Sequence, residues 1–317
     1  MKKIVSVLLV IILIACIFTG CSGGAVKKSD IKIGLAAPSV THGWVAGVSY
    51  YAEKYCKENG VEYELTTSES PAAMGESLDE LSEKGVQAVV VWPQWIGTEK
   101  AVKKLVEKNI PVVSFDFDIN CDGIYKITGN NYDMGYQCAK YITKRVGKDA
   151  SVAVFDVPSA GSVSALRKKG FYDYLKEKNC STESIFEITE EGFSRDSGYK
   201  DMKIVLENHK KIDAVFSMDD EVSIGIVKAI AESGRTDIKA VTGGGGMQEY
   251  FNMIGDSQYA DLGLASALYS PSMIEDAIKT AIDLCSGKKS NKVVVIPTKM
   301  VDSDNVKEYI DAENTVY

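Results

Sequence analysis

From residue 31 onward, short apolar runs alternate with longer stretches in which apolar positions recur at helical spacing. The short runs are rich in Val, Ile and Leu, which predicts strands buried on both faces. The longer stretches predict amphipathic helices, and several of them are followed by a glycine, the residue most common just beyond a helix end. The predicted strands span residues 31–37, 61–66, 88–91, 110–115, 151–156, 184–189, 214–216, 239–242, 261–268 and 293–296. The predicted helices span residues 44–59, 74–84, 98–108, 133–146, 164–178, 198–208, 221–233 and 271–284.

This order of elements predicts an α/β fold with parallel sheets. Helices separate consecutive strands, and parallel strands need such crossovers, which cover both faces of the sheet. The pattern restarts near residue 133, so we expect two Rossmann-like lobes. In open α/β sheets, ligands bind beyond the carboxyl ends of the strands. Two such edges that face each other would form a ligand cleft between the lobes.

The first 20 residues have the features of a bacterial signal peptide. Two lysines precede an apolar run over residues 4–18, which is shorter than the roughly 20 residues that a membrane-spanning helix needs. The run ends at a Thr-Gly-Cys sequence that resembles a lipobox, although Phe18 departs from the usual Leu. We therefore expect lipidation of Cys21, a tether over residues 21–30, and an extracytoplasmic protein anchored by lipid to the bacterial cell membrane. An ordinary cleaved signal beside a chance cysteine is the alternative.

Composition and charge narrow the choice of partners. The chain has 317 residues, of which 45% are hydrophobic and 25% charged, and its formal net charge is −8. An acidic protein repels phosphate backbones, so we expect no nucleic-acid partner. Five cysteines follow Cys21, an odd number without a C-x-x-C pair, which argues against a disulfide framework or a zinc site.

The sequence lacks the motifs of common hydrolases and nucleotide-binding enzymes. It contains no G-x-S-x-G, H-E-x-x-H or Walker A sequence, and only two histidines. The segment 286–290 has no upstream glycine and follows a helix, and the glycine run 243–246 is not followed by Lys-Ser/Thr. We therefore expect a protein that is not an enzyme and that uses no cofactor or metal.

Residues at the predicted strand ends resemble the type I periplasmic binding proteins, particularly the ribose-binding branch. The resemblance runs from about residue 31 to the end of the sequence, and it rests on the ordered set of stretches. The five stretches are 33–52 with Trp44, Pro111-Val112-Val113-Ser114-Phe115-Asp116, Arg167-Lys168-Lys169-Gly170-Phe171, Asp219-Asp220-Glu221, and Tyr269-Ser270-Pro271.

The resemblance implies a ligand site in the cleft and a division of the chain between the lobes. It implies a first lobe of residues 31–130 and 270–298, a second lobe of residues 131–269 and 299–317, and a multi-strand hinge between them. An aromatic platform suits the C–H faces of a sugar, whereas carboxylates and an arginine suit its hydroxyl groups. The implied ligand-binding residues are His42, Trp44, Asp116, Phe117, Arg167, Phe193, Asp219, Gly244 and Tyr269.

Eight of these nine positions also have a purely structural interpretation. Trp44 could belong to the core, His42 to a turn, Asp116 and Asp219 to helix caps, Arg167 to a solvated helix face, Phe193 to a plain loop, Tyr269 to the hinge, and Gly244 to a flexible loop.

Three residues depart from the ribose-binding pattern. Phe117 stands where ribose binders carry an arginine, Gly244 where an aspartate is usual, and Tyr269 where glutamine is common. Trp92 and Trp95 add aromatic character after the third strand. The cleft is expected to be more aromatic than a ribose site, so the resemblance does not identify ribose as the ligand. The glycine run could offer free backbone N–H groups in place of the missing carboxylate.

The resemblance implies capture of a small, sugar-like ligand for the permease of an ABC importer. A signalling receptor of the same fold, for an autoinducer-like furanose or a chemoreceptor partner, is the main alternative. A LacI-like regulator would need an N-terminal helix-turn-helix where the signal peptide stands. An extracytoplasmic hydrolase is disfavoured by the absent motifs.

Overall fold

The computed structural model describes residues 30–40 and 43–317. The predicted signal peptide, Cys21 and His42 lie outside the described residues. The strands are β1 (Lys32–Pro38), β2 (Glu62–Ser68), β3 (Ala88–Val91), β4 (Val112–Phe115), β5 (Tyr125–Gly129), β6 (Val152–Asp156), β7 (Ile185–Thr189), β8 (Ala214–Ser217), β9 (Ala240–Gly245), β10 (Leu264–Leu268), β11 (Val293–Ile296) and β12 (Met300–Val301). The helices are α1 (Gly43–Asn59), α2 (Pro71–Glu83), α3 (Glu99–Glu107), α4 (Asn131–Val146), α5 (Ser162–Glu177), α6 (Arg195–Asn208), α7 (Asp220–Ser233), α8 (Gln248–Gly255) and α9 (Ile274–Cys285).

The strands form two six-stranded sheets, each the centre of one α/β lobe, and the predicted fold class is confirmed. The first sheet has the order β11-β5-β4-β3-β1-β2 and the second the order β12-β10-β9-β8-β6-β7. Every pairing is parallel except that of β10 with β12, which is antiparallel. We call the sheets and their packed helices the first and second lobes.

The central strands are buried because helices cover both faces of each sheet. All residues of β3, β4, β6, β8 and β9 are buried. In the first lobe α9 packs against β3 and β4, and α2 packs against β1 and β2. In the second lobe α4 packs against β8, β9 and β10, and also against α5. These continuous apolar strands are the elements that the sequence pattern predicts most directly.

Several elements differ from those predicted. The strands β5 and β12 and the helix α8 were not expected. The strand predicted over residues 261–268 is shorter, because Ser257–Leu262 form a 3₁₀ helix and Gly263, at φ 53°, turns the chain into β10. The predicted helix 271–284 begins with a separate 3₁₀ turn over Pro271–Met273. Among residues 30–40 and 43–317, no helix combines the length and apolar character needed to cross a bilayer.

The chain passes between the two sheets three times. The crossings lie between β5 and α4, between β10 and α9, and between β11 and β12. The first and third crossings are joined by hydrogen bonds. Asn130 N donates to Ile296 O over 3.1 Å, and the Thr298 hydroxyl donates to Asn130 O over 3.3 Å. The carboxyl ends of β3 and β4 thereby share one space with those of β6, β8 and β9.

Candidate functional site: a cavity between the lobes

A cavity of about 230 Å³ lies where strand ends of the two lobes meet. A single water needs only ~10–15 Å³ by a comparable measure, so the cavity has room for a small organic molecule. Eight of the nine candidate ligand-binding residues line it: Trp44, Asp116, Phe117, Arg167, Phe193, Asp219, Gly244 and Tyr269. The ninth, His42, lies outside the described residues.

Aromatic rings from the first lobe form one wall of the cavity. The ring of Trp44 lies nearly parallel to that of Phe115, with centroids 6.2 Å apart, and meets the edge of Trp92 at 5.2 Å. The Trp44 indole N–H donates to the backbone oxygen of Tyr269 over 2.7 Å. Trp44 is therefore both a buried core residue and a lining residue, so the two interpretations of this position are compatible.

Asp116 follows β4 in a left-handed backbone conformation, with φ 68°. Aspartate is among the few residues besides glycine that adopt this region readily. One carboxyl oxygen of Asp116 accepts a hydrogen bond from the Tyr269 hydroxyl, which in turn accepts one from Asn131 Nδ2 over 3.1 Å. Burial raises the pKa of the Asp116 carboxyl, and the hydrogen bond from Tyr269 opposes that rise. Asp116 also lines the cavity, so its carboxyl group can accept a hydrogen bond from a ligand donor.

Arg167 is buried in the cavity wall, so the solvated helix face considered for it is wrong. Its side chain donates from Nε to Asn131 Oδ1 over 2.9 Å and from Nη1 to Met218 O over 2.6 Å. The guanidinium carbon lies 5.1 Å from the Tyr269 ring centre and 5.8 Å from that of Phe193. Two nitrogens are thus held by the protein, and among the described residues Nη2 has no hydrogen-bond partner, so it can contact a ligand.

Close contact between α4 and α5 explains why Arg167 and Asn131 meet. A Cβ added at Gly170 of α5 would lie 1.9 Å from the backbone oxygen of Tyr132, and one added at Gly135 of α4 would lie 1.7 Å from that of Arg167. Only glycine at these two positions lets the helix backbones touch. The R-x-x-G-F stretch therefore carries both a lining side chain and the glycine that brings it into position.

Asp219 caps α7 and lines the cavity as well. Its Oδ1 accepts from the backbone nitrogens of Glu221 at 2.8 Å and Val222 at 3.3 Å. Burial, followed by the negative charge of Asp220, raises the pKa of Asp219 to about 7. The sequence allowed two interpretations of Asp219, a helix cap and a cleft residue, and in the structure it is both.

One N–H group of the glycine run is already used within the protein, so the run is only in part the source of free N–H groups that the sequence suggested. Gly243, Gly244 and Gly245 belong to β9, and the N–H groups of Gly246 and Met247 donate to Asp220 Oδ2 at 2.8 and 2.9 Å. The N–H of Gly246 is thus not free, and the run is not a flexible loop. A Cβ at Gly244 would lie 1.5 Å from the Met134 methyl, so an aspartate could not fit there without moving that side chain.

Other lining residues were not chosen as site residues from the sequence. They are Trp92, Gln94, Val157, Ser159, Ala160, Val163, Gly192 and Gly245. Trp92 directly follows β3 and Val157 directly follows β6, so the rule that ligands bind beyond strand ends could have selected both. Within the described part of the chain, the buried Trp92 N–H has no hydrogen-bond partner. It lies near enough to the Asp116 carboxyl to help lower its pKa.

Residues 33–289 match the model of the periplasmic binding protein domain family, and the chain belongs to that family. A curated relative is the ribose import binding protein of Bacillus subtilis (strain 168), which is 26% identical over 318 residues. That match covers 95% of this chain and 99% of the relative.

Solved structures share the fold. An ABC transporter solute-binding protein from Mycobacterium smegmatis with bound glycerol has a TM-score of 0.76 and 20% identity, and the match covers 90% of this chain and 98% of that one. The arabinose ABC transporter binding protein from Shewanella sp. ANA-3, bound to L-arabinofuranose, has the same TM-score and 20% identity. That match covers 88% of this chain and 94% of the other.

Proposed function

We propose that this protein is an extracytoplasmic solute-binding protein that captures one sugar-like molecule between its lobes for import through an ABC permease. The observation that carries the proposal is the interlobe cavity, in which aromatic faces stand beside Asp116, Asp219 and Arg167. Apolar C–H faces of a sugar pack on Trp44, and its hydroxyl groups donate to carboxylates and accept from the guanidinium. We infer binding without chemical conversion of the ligand.

The relatives support a sugar as the ligand class. One is named for ribose import, and one structure contains L-arabinofuranose. In this chain Met134 fills the space beside Gly244, and Phe117 adds a ring to the cavity. These features support a ligand other than ribose, because hydroxyl groups without partners in a closed site weaken binding.

A screen by thermal unfolding tests the proposed function. The chain without residues 1–20 would be heated with D-ribose, L-arabinose, D-allose, D-galactose, myo-inositol or adenosine. A ligand at 100 times its Kd stabilises a protein by about 2.7 kcal/mol, which raises Tm by roughly 5–10 °C for a domain of this size class. We expect such a shift with at least one compound, and the absence of any shift would oppose the proposal.

We also infer that the protein is held at the membrane by lipid on Cys21. The support is the basic start, the apolar run and the lipobox-like ending. Two or more acyl chains anchor a protein stably, whereas one chain binds only marginally. Cys21→Ala is expected to release the protein from the membrane fraction or to block its maturation. Intact mass of a mature form that begins elsewhere and carries no lipid would contradict this inference.

A further inference from the structure

A larger groove of about 760 Å³ lies beside the cavity. Six residues line both spaces, so the two adjoin. The shared residues are Gln94, Asp116, Phe117, Ser159, Ala160 and Val163. A ligand seated in the cavity could therefore extend a second group into the groove.

The groove gathers exposed apolar side chains from both lobes. Ile96 is 92% exposed, Leu166 42% and Val295 50%, and all three line it. They come from the loop after β3, from α5 and from β11, and they make up three of the seven large hydrophobic side chains that are exposed in the described residues. Three exposed apolar side chains on one groove offer surface that an apolar ligand group could cover.

The charged residues of the groove are already engaged within the protein. Lys126 pairs with Asp118, Glu99 accepts from the N–H of Gly97 over 2.9 Å, and Asp116 accepts from Tyr269. These four residues are the charged members of the lining. A phosphate or carboxylate would find no uncompensated cation among them, so the groove does not favour an anionic group.

We propose that the ligand has two parts, a sugar-like head in the cavity and an uncharged apolar or aromatic group in the groove. The class includes aryl and alkyl glycosides and nucleosides. This inference rests on the proposed function. A concave groove that adjoins the cavity favours a part of the same ligand over a separate protein partner, which would need a broader surface.

Calorimetry with paired compounds tests the inference. Each free sugar is compared with a glycoside of it: D-ribose with adenosine, L-arabinose with 4-nitrophenyl α-L-arabinofuranoside, and D-galactose and D-glucose with both anomers of their 4-nitrophenyl glycosides. We expect at least one glycoside to bind about tenfold more tightly than its parent, the gain from burying roughly 60 Å² of apolar surface.

Two substitutions test whether the groove causes the gain in affinity of a glycoside over its free sugar. Ile96→Ser and Leu166→Ser are expected to remove most of it while leaving the free sugar's affinity unchanged. Ile204→Ser is the matched control, because Ile204 is 50% exposed on α6 and does not line the groove.

Free sugars that bind as well as every glycoside, or a gain that survives both groove variants, would overturn the two-part ligand. Absence of binding by all compounds would instead contradict the proposed function. If the groove contacts only the permease, the glycosides will bind no more tightly than the free sugars, and the two-part ligand is overturned.

Discussion

The polar side chains of the cavity are held by the protein itself. Asn131 contacts both Tyr269 and Arg167, and Tyr269 contacts Asp116, so one amide connects the guanidinium with the carboxyl. Side chains fixed in this way lose less conformational freedom when a ligand binds, which favours affinity.

The buried N–H of Trp92 gives a prediction at this scale. It lies close to the Asp116 carboxyl and lowers its pKa, so Trp92 helps to hold the carboxyl group that a ligand hydroxyl would contact. Trp92→Phe keeps an aromatic ring but removes the donor. We expect affinity for the bound sugar to fall by about 0.5–1.5 kcal/mol, or roughly 2- to 12-fold, by calorimetry. Trp95→Phe, the same change outside the cavity, is the control and should have little effect on the affinity for a free monosaccharide. Equal affinities of both variants would contradict the role of Trp92.

The raised pKa of Asp219 predicts how stability depends on pH. Its pKa is about 7 in the folded protein and ~3.9 when unfolded, so the folded state holds more protons between these values. The free energy of unfolding should therefore decrease as pH rises from 5 to 8. Asp219→Asn removes this titration and can keep the cap on α7. Urea unfolding should give a smaller decrease for the variant, and an unchanged pH dependence would count against the raised pKa.

Individual lining residues were predictable where a strand ends at a side chain that can bind a ligand hydroxyl, as at Asp116 and Asp219. The burial of Arg167 was not, because Lys168 and Lys169 beside it are typical of a solvated helix face. The space beside Gly244 is filled by Met134, which lies more than 100 residues away in sequence. Long-range packing of this kind has no local pattern.

At the scale of elements, the contact between α4 and α5 controls the position of Arg167. Gly170→Ala would place a methyl against the backbone of Tyr132, and helices cannot yield as a flexible side chain can. Overpacking of this kind costs about 1–3 kcal/mol or more. We expect Gly170→Ala to lower Tm and to weaken ligand binding together.

Gly75→Ala is the matched control for this substitution. Gly75 lies within α2, and a Cβ there would meet only the Cβ of Ala101, at an ordinary 3.7 Å. The helix should gain about 0.5–1 kcal/mol in stability from the alanine. If Gly170→Ala were as stable and as tight in binding as Gly75→Ala, the close helix contact would not position the site.

The elements that the sequence did not predict are those with weak periodicity. In β5, Tyr125 and Lys126 are partly exposed and a polar, glycine-containing stretch precedes them, so the apolar run is too short to recognise. Helix α8 directly follows the glycine run, and β12 has two residues whose only support is pairing with β10. Tertiary contact forms such elements, whereas the buried central strands are visible in the sequence alone.

For the whole molecule, three crossings and the segment 309–317 connect the lobes. In that segment, Asp311 N donates to Gln248 of the second lobe over 2.7 Å, and Asn314 Nδ2 donates to Tyr51 of the first lobe over 2.7 Å. The lobe boundaries drawn from the sequence stay a prediction. The division into two lobes was predictable from the restart of the βαβ pattern. No sequence pattern indicated that the segment 309–317 connects the lobes.

Lobe closure is expected to accompany binding. Hinge motion about a few connecting residues is the usual response of two-lobed binding proteins to their ligand. Small-angle scattering should give a smaller radius of gyration with saturating sugar than without it, and Arg167→Ala should need more than about ten times as much sugar for the same change. An identical scattering profile for the free and saturated wild type would contradict closure.

Calorimetric titration of the chain without residues 1–20 tests most directly whether the interlobe cavity is a sugar site. The titrant is the sugar that gives the largest thermal shift, and Asp116→Asn and Arg167→Ala are titrated beside the wild type. Asparagine tolerates the left-handed backbone at position 116. We predict one sugar bound per chain and a loss of about 1.5–3 kcal/mol, more than tenfold in affinity, in each variant. Wild-type affinity in both variants would contradict the assignment of the cavity as the binding site.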